Sequence, residues 1–339
     1  MRALRLLLFA TAVLLAGCSP RLERHEYRRL VMGVEAHLTI YAPDESRAER
    51  AARRAFDRMA EVEQAMSDYR ASSEVSRISD VSGRDWSVAG ADLRSVLATA
   101  ARVSEASGGA FDVTVGPAVG AWRTARRTGR LPGPDELARL RALIDWRAVE
   151  VDDARGVARL TRPAMRLDLG GIAKGYGAAE GLHAMRAEGV DRAMVALAGD
   201  IALGDPPPDA AGWRVEVSPG PGLPPSGVLT LRRVNVSTSG DAEQFIEIGG
   251  VRYAHIVDPR TALGVTGRMA ATVIEEDPAA CDALATAACV MEPEAAAAML
   301  TRFPRACAIL QRIEAGEVKV TRLGPERGRA PAWHPLPGR

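Results

Sequence analysis

Apolar residues recur at helical spacing in some parts of the chain and alternate with polar residues in others. The longest helical pattern runs through Ala52, Phe56, Met59, Val62 and Met66. Steps of three and four residues place these side chains on one face of an α-helix. Asp44 and Ser46 precede the pattern and are typical N-cap residues. A second helix is predicted over residues 92–106, because Gly108 and Gly109 follow it as a stop signal.

Strand patterns surround these helices. Alternation predicts strands over residues 30–42, 193–197, 213–217, 228–236, 245–248 and 271–274, and a hairpin over 149–151 and 157–160. Helices are predicted from Lys174, from Asp277 through Met291, and from Pro293. Residues 67–79 are predicted to be a polar loop, and the Pro- and Gly-rich residues 204–227 to be surface elaboration. Hairpin-spaced strands interleaved with long helices favour an α+β fold, with mixed or antiparallel sheets packed against helices.

Composition narrows the classes of function. The 339 residues are enough for one large domain or two closely packed ones. The formal net charge of +1 argues against electrostatic attraction to nucleic acid. The main domain is predicted over residues 30–320, followed by a disordered tail over 321–339.

The first residues have the pattern of an export signal. Arg2 and Arg5 precede an apolar run over residues 6–15, which is too short to span a bilayer. The run ends in Leu-Ala-Gly-Cys, which resembles the lipobox of bacterial lipoproteins. The resemblance implies a signal peptide over 1–17 and acylation of Cys18, with an exposed linker over 18–29 and a protein anchored in the cell envelope facing the periplasm. Ser19 favours the outer membrane, and a soluble secreted protein is the alternative.

The other cysteines do not suggest a disulfide framework. Cys281 and Cys289 are eight residues apart on one predicted helix, too far to bridge each other. These two and Cys307 are predicted to be small buried apolar residues.

The stretch from Asp168 to Gly177 combines a carboxylate, paired glycines and a lysine. Glycines before a helix leave backbone amides free for an anion. Lys174 is one of only two lysines in a chain that has 44 Lys and Arg residues, so either a compact ammonium is required there or the lysine is chance. Neither the G-x-G-x-x-G fingerprint nor the P-loop spacing is present in this stretch.

Three other patches contain side chains that could bind a ligand, act in catalysis or hold a metal ion. For each of them a purely structural role is the alternative. Asp112 could accept hydrogen bonds from a ligand or from local amides. His255, near Asp258 and Arg260, could be a general base or a structural histidine. Asp282 and Thr286, four residues apart on a helix, could supply oxygen ligands to Mg²⁺ or be ordinary helix residues.

Five segments occur in an order and spacing that resembles one family. They are GGAFDVTVGP, DLGGIAKGYG, STSGDAEQF, HIVDPRT and CDALATA, and the chain is similar in them to the ApbE family, the FAD:protein FMN transferases. The resemblance implies the ApbE-like fold and Mg²⁺-dependent transfer of FMN from FAD to a Thr or Ser hydroxyl of a target flavoprotein. The product would be a phosphoester, and AMP would leave. A Mg²⁺-dependent FAD pyrophosphatase and a non-catalytic flavin-binding lipoprotein are the alternatives.

The resemblance also implies a role for individual residues. It implies FAD contacts at Met32, Tyr69, Ala110, Phe111, Asp112, Asp168, Lys174 and Ile256. It implies Mg²⁺ ligands from the side chains of Asp282 and Thr286 and from backbone oxygens of Gly171 and Ala285. His255 matches the catalytic histidine, Lys174 would stabilise the phosphates, and a tyrosine at position 69 favours transfer over hydrolysis.

The chain departs from the family pattern at four positions. Val34, Ser79, Ala198 and Ala262 stand where threonine, asparagine, glycine and glycine are usual. The last of these is notable, because a glycine after Arg-Thr can adopt a positive φ that alanine resists.

Overall fold

The computed structural model describes residues 21–220, 225–241, 244–314, 317–324 and 332–335. Its helices are α1 Glu45–Met66, α2 Glu74–Asp80, α3 Ala91–Ala106, α4 Gly116–Thr128, α5 Pro134–Ala142, α6 Ala173–Ala187, α7 Pro278–Val290 and α8 Pro293–Leu300. Its strands are β1 Glu23–Val31, β2 Val34–Ala42, β3 Ser87–Val88, β4 Val149–Asp152, β5 Val157–Leu160, β6 Ala193–Leu197, β7 Asp200–Leu203, β8 Trp213–Val217, β9 Gly227–Leu231, β10 Asn235–Gly240, β11 Phe245–Ile248, β12 Val251–Asp258, β13 Leu263–Thr266, β14 Arg268–Glu275, β15 Cys307–Glu314, β16 Glu317–Leu323 and β17 Ala332–Pro335.

One large antiparallel sheet organises the chain. Its strand order is β1-β2-β6-β7-β10-β14-β15-β16, and three small sheets have the orders β11-β12-β13, β17-β9-β8 and β3-β5-β4. Helices α1 and α6 pack on each other and on the half of the main sheet that contains β2 and β6. Helix α7 packs on β10 and β14 and also contacts α6. The predicted α+β class is confirmed.

Helix α1 follows the predicted pattern closely. All five residues of the apolar stripe are buried, and Asp44 is the N-cap, its Oδ1 accepting a hydrogen bond from the backbone nitrogen of Arg47 at 2.8 Å. The amphipathic pattern and the cap therefore act together to place α1 on the sheet.

Helices α6 and α7 approach each other closely because their facing residues are small. A Cβ built on Gly175 would lie 2.6 Å from the carbonyl oxygen of Pro278 and 2.9 Å from Cβ of Asp282. Real side chains do not tolerate such contacts, so glycine at position 175 permits this approach. The approach brings the residues after the glycine turn next to the buried Asp282.

Several expected elements are different in the structure. The single strand predicted over 30–42 is two strands, β1 and β2, joined by a turn at Met32 and Gly33 with φ values of 52° and 75°. The linker expected over 18–29 is wrong for its second half, because residues from Glu23 onward belong to β1 and pair with β2. β1 is an edge strand with mostly exposed side chains, so it lacks the alternation that identifies a half-buried strand.

The polar loop expected over 67–79 contains α2, whose N-cap is Ser73. The strand expected over 228–236 is β9 and the start of β10, with a bend between them. The tail expected to be disordered contains the last part of β16 and the strand β17, which pairs with β9. Backbone pairing holds β16 and β17, whereas α2 is held by its cap and by the buried side chains of Val75 and Ile78.

Cys281, Cys289 and Cys307 are buried free thiols, which confirms their predicted burial. Within the described ranges, no helix has the length and apolarity that crossing a membrane requires. The predicted signal peptide and Cys18 lie outside the described residues.

Candidate active site

A cavity of about 690 Å³ opens where the main sheet, α4, α7 and the β11-β12-β13 sheet meet. The predicted site residues that line it are Ala110, Phe111, Asp112, Asp168, Gly171, Lys174, His255, Ile256 and Thr286. These residues come from four sequence segments that together span more than 170 positions. The fold therefore brings the predicted patches to a single place.

Lys174 lies at the polar end of this cavity, near the start of α6. Its Nζ donates a hydrogen bond to the carbonyl oxygen of Gly170 at 2.8 Å. It also lies 3.3 Å from Oδ2 of Asp200 and 3.9 Å from Oδ2 of Asp282. Burial alone would lower the pKa of the ammonium, but the two carboxylates outweigh it and raise that pKa above its ordinary value. Lys174 therefore remains protonated at neutral pH.

Asp282 lies beneath Lys174 and is only 2% exposed. Its Oδ2 accepts a hydrogen bond from the backbone nitrogen of Gly175 at 3.0 Å. Burial and the neighbouring carboxylate of Asp200 raise the pKa of Asp282 above its ordinary value, and Lys174 opposes this shift. Two buried carboxylates thus face one ammonium, an arrangement that favours a further cation nearby.

Oxygen atoms suitable for such a cation lie next to this pair. Oγ1 of Thr286 is 3.4 Å from the carbonyl oxygen of Gly171 and 3.1 Å from Oγ of Ser239. A Cβ on Gly171 would lie 2.9 Å from Oγ1 of Thr286, so the turn has no room for a side chain there. Ala285 precedes Thr286 on α7 and is fully buried.

In the described part of the chain, no three His, Cys, Asp or Glu side chains are grouped to hold a metal ion. A cation at this place would depend on one carboxylate, one hydroxyl and backbone carbonyl oxygens. Such an all-oxygen set with few protein ligands suits Mg²⁺, which keeps several waters and substrate phosphates.

His255 lies on β12, in the cavity wall. Its Nδ1 is 3.2 Å from the carbonyl oxygen of Gln244. Because a carbonyl only accepts hydrogen bonds, this contact assigns the proton of a neutral ring to Nδ1 and leaves Nε2 as the basic nitrogen. Asp258 and Arg260 pair with each other through two hydrogen bonds of 2.9 Å, so they form the turn after β12.

Asp112 is held by its own chain. Its Oδ1 accepts hydrogen bonds from the backbone nitrogen and the hydroxyl of Thr114, at 2.8 and 2.6 Å, and its Oδ2 accepts one from the backbone nitrogen of Trp146 at 2.8 Å. Asp112 therefore accepts hydrogen bonds from local amides, as the structural alternative in the sequence analysis expects. Asp112 orders the loop that forms one wall of the cavity.

Asp168 ends the strand-like segment before the glycine turn. Its Oδ1 accepts a hydrogen bond from the backbone nitrogen of Gly170 at 2.8 Å, which fixes the turn. Burial and the carboxylate of Asp68 raise the pKa of Asp168. Its side chain is 11% exposed, and the exposed part faces the cavity.

Four of the expected site residues do not line the cavity: Met32, Tyr69, Asp282 and Ala285. Tyr69 is 60% exposed, and its hydroxyl donates to Oε1 of Glu63 at 3.2 Å. That hydroxyl also lies beside the turn between β1 and β2, since a Cβ on Gly33 would be 3.2 Å from it. The sulfur of Met32 packs against Gly177 of α6. Val34, two residues after Met32 in the sequence, lines the cavity.

The sequence analysis missed several cavity residues. Asp200 follows a buried strand and Gly199, a signal that could have identified it. Arg123 is one of many arginines on exposed helix faces, and no sequence signal distinguishes it. Glu216 and Ser218 come from the segment expected to be surface elaboration, yet they line the cavity. That expectation is wrong because β8 and β9 place this segment at the cavity mouth.

Comparison with known proteins gives the class. Residues 32–310 match the model of the ApbE family, and the chain therefore belongs to this family and is an enzyme of it. The protein is 32% identical over 307 residues to a Treponema pallidum protein named FAD:protein FMN transferase, with 85% of each chain covered. A Vibrio cholerae protein of the same name is 28% identical over 296 residues, covering 85% of this chain and 88% of its own.

Solved structures agree with the fold. The ApbE protein from Thermotoga maritima superposes with a TM-score of 0.78 at 26% identity, covering 89% of this chain and 97% of its own. The flavin transferase ApbE from Vibrio cholerae superposes with a TM-score of 0.77 at 23% identity, with the same coverage. The expected ApbE-like fold is confirmed.

Proposed function

We propose that this protein is a Mg²⁺-dependent FAD:protein FMN transferase, which attaches FMN through a phosphoester bond to a Thr or Ser hydroxyl of a target flavoprotein and releases AMP. The observation that carries the proposal is the position of Lys174, between the buried carboxylates of Asp200 and Asp282. Family membership supports the reaction, because the curated relatives carry that name.

The cavity has the character that a dinucleotide with a large aromatic ring requires. Its volume is within the usual range for small-molecule sites. Phe111 and Ile256 give apolar wall surface, while Lys174, the carboxylates beside it and the glycine turn form a polar end. Pyrophosphate would bind at that end, with the contacts to FAD supplied by Met32, Tyr69, Ala110, Phe111, Asp112, Asp168, Lys174 and Ile256.

The residues at the polar end fit a magnesium ion. Asp282 and Thr286 would hold it with their side chains, and Gly171 and Ala285 with their carbonyl oxygens. When bound, the ion would neutralise charge on the pyrophosphate and on the departing AMP. Lys174 adds a fixed positive charge at the same place, and its burial between carboxylates keeps it protonated and oriented.

His255 supplies the proton acceptor in the proposed reaction. Its Nε2 would accept the proton of the acceptor hydroxyl as that oxygen attacks the phosphorus of the FMN half. The bond between this phosphorus and the bridging oxygen breaks, and AMP leaves with the electron pair. Lys174 would stabilise the negative charge that develops on AMP.

We propose, from the signal-like pattern of the first residues, that the reaction takes place in the cell envelope. A lipidated Cys18 would anchor the enzyme in the cell envelope on the periplasmic side, since acyl chains contribute about 0.8 kcal/mol for each buried methylene group. Acceptor proteins would then be envelope flavoproteins.

The experiment is to incubate the purified protein with FAD, Mg²⁺ and cell-envelope extract, and to examine denatured proteins for covalent flavin fluorescence. A fluorescent acceptor band is expected, and it should be absent with His255→Ala or Asp282→Ala. Release of AMP without any labelled protein would indicate a pyrophosphatase instead. Recovery of intact FAD after long incubation would indicate a flavin-binding protein without turnover.

A further inference from the structure

The side chain of Arg123 bridges two segments of the chain, one containing Asp68 and the other Asp168. It lies on α4, half exposed, and lines the cavity. Its Nη1 donates to Oδ2 of Asp68 at 2.6 Å, while its Nη2 lies 3.6 Å from Oδ2 of Asp168. One guanidinium therefore contacts a carboxylate on each side.

The two carboxylates belong to segments 100 residues apart in the sequence. Asp68 directly follows α1 and precedes Tyr69, whose backbone nitrogen donates to Oγ of Ser67 at 3.3 Å. Asp168 begins the glycine turn that leads to Lys174. Without a cation between them, Asp68 and Asp168 would repel each other, and this repulsion would act on both segments.

Arginine suits this position better than lysine would. Its planar fork can address two carboxylates at once, whereas an ammonium acts as a single point charge. Asp68 and Asp168 are 22% and 11% exposed, so water screens these contacts less than it screens ordinary surface ion pairs.

We propose that Arg123 is a positioning residue, which holds the Asp68–Tyr69 segment and Asp168 at the spacing that FAD binding requires. The proposal rests on the proposed function, because it assumes that Tyr69 and Asp168 contact FAD. Among the described residues, the hydrogen bond and ion pairs of Arg123 are to Asp68 and Asp168 and not to Lys174, Asp282 or Thr286. Arg123 should therefore control the affinity for FAD and not the rate of phosphoryl transfer.

The test uses the full protein with Arg123→Gln, Arg123→Lys and Asp68→Asn. Binding of FAD is measured by flavin fluorescence with no acceptor present, and KM and kcat for transfer are measured separately. Arg123→Gln is expected to raise the Kd and KM for FAD about tenfold, with kcat changed less than about twofold. Arg123→Lys should recover part of the affinity, because it restores the charge but not the fork.

Arg127→Ala is the matched control. Arg127 lies on the same helix, and its side chain contacts only Thr124 within that helix among the hydrogen bonds of the described residues. It should leave Kd, KM and kcat unchanged. The double variant Arg123→Gln with Asp68→Asn should be no weaker in FAD binding than Arg123→Gln alone, because both changes remove the same contact.

An unchanged Kd in Arg123→Gln, a lysine variant as weak as the glutamine variant, or a fall in kcat without a change in KM would overturn the proposal. Thermal unfolding of each variant separates loss of fold from loss of affinity. If the wild type neither binds FAD nor transfers FMN, the proposed function itself fails. If the wild type does both and Arg123→Gln does too, only this inference fails.

Discussion

The ammonium of Lys174 lies 3.3 Å from the carboxylate of Asp200, and this carboxylate also accepts a hydrogen bond of 2.6 Å from the hydroxyl of Ser237. The lysine is thus held from the main sheet, since Asp200 begins β7 and Ser237 lies on β10. A chain of fixed contacts orients the cation before any substrate binds, which is the preorganisation that charge stabilisation requires.

The Lys174→Arg variant tests the need for a compact ammonium. A guanidinium is larger than an ammonium and would displace the buried carboxylates of Asp200 and Asp282, so transfer is expected to fall about a hundredfold or more. The measurement is the rate of FMN transfer at saturating FAD. Lys319→Arg is the control, because this lysine is exposed on β16 and forms an ion pair with Glu314 across a hairpin. Near-normal transfer by Lys174→Arg would contradict the argument.

The Gly171→Ala variant tests the proposed metal site. The added Cβ would lie 2.9 Å from Oγ1 and 3.0 Å from Cγ2 of Thr286, which forces the hydroxyl out of place. We expect the affinity for Mg²⁺, measured by calorimetric titration, to fall about ten- to hundredfold.

Gly120→Ala is the control for that substitution. Gly120 lies in α4, and a Cβ added there would meet nothing within 4 Å, so alanine should leave metal affinity unchanged and increase stability slightly. Equal metal affinity in Gly171→Ala and the wild type would exclude a site that uses Thr286.

Two of the departures from the family pattern carry backbone strain. Ala198 and Ala262 have φ values of 53° and 60°, in the left-handed region that disfavours residues with a Cβ. We expect Ala198→Gly and Ala262→Gly each to raise the free energy of unfolding by about 0.5–1 kcal/mol. Denaturant unfolding measures this. Ala295→Gly in the exposed face of α8 should have the opposite effect, and a loss of stability in all three variants would contradict the strain.

An ion-pair network joins three helices behind the site. Arg58 of α1 donates to Oε2 of Glu180 on α6 at 2.5 Å and to Oδ1 of Asp92 on α3 at 2.7 Å. Tyr176 donates to the same oxygen of Asp92 at 2.7 Å. Burial opposes ionisation of Asp92, yet the hydrogen bonds from Arg58 and Tyr176 lower its pKa below 3.8. The hydrogen bond with His183, together with Arg58, lowers the pKa of Glu180 below 4.5.

These lowered pKa values predict acid sensitivity. A carboxylate whose folded pKa is depressed stabilises the fold above its unfolded pKa, and this stability is lost as the pH falls through the folded value. Stability measured by urea unfolding should therefore decrease as the pH falls below 4.5. Arg58→Met should be less stable at about pH 7 and show a flatter profile in the acidic range. Arg53→Met, on the exposed face of α1, should keep the wild-type profile.

The sequence predicts much of the fold where one pattern dominates. The stripe of α1 and the limits of α3 and α7 follow from periodicity and caps, which are local properties. β1 and β17 could not be predicted, because an edge strand is held by its neighbour's backbone and needs no apolar alternation. α2 is short and polar, and it is fixed by Ser73 and by the residues packed on it.

The site residues also fall into those that the sequence identifies and those that it does not. The glycine turn and the spacing of Asp282 and Thr286 are visible in the sequence, and the fold places the turn and Thr286 at one cavity, with Asp282 buried beside Lys174. Asp200 follows a buried strand and a glycine, which is a usable signal, but Arg123 carries none, because it acts through partners far away in the sequence. Distances between such partners depend on sheet order, which local patterns do not determine.

In the proposed reaction, each FMN transferred from FAD to an acceptor protein releases one AMP. The most direct measurement incubates the purified enzyme with FAD, Mg²⁺ and a purified flavoprotein acceptor, then quantifies AMP and protein-bound flavin together over time. We expect equal amounts of AMP and protein-bound flavin, and the loss of both products in EDTA and in the His255→Ala variant. Labelling that persists in EDTA, or AMP release at the same rate without the acceptor, would contradict the proposed reaction.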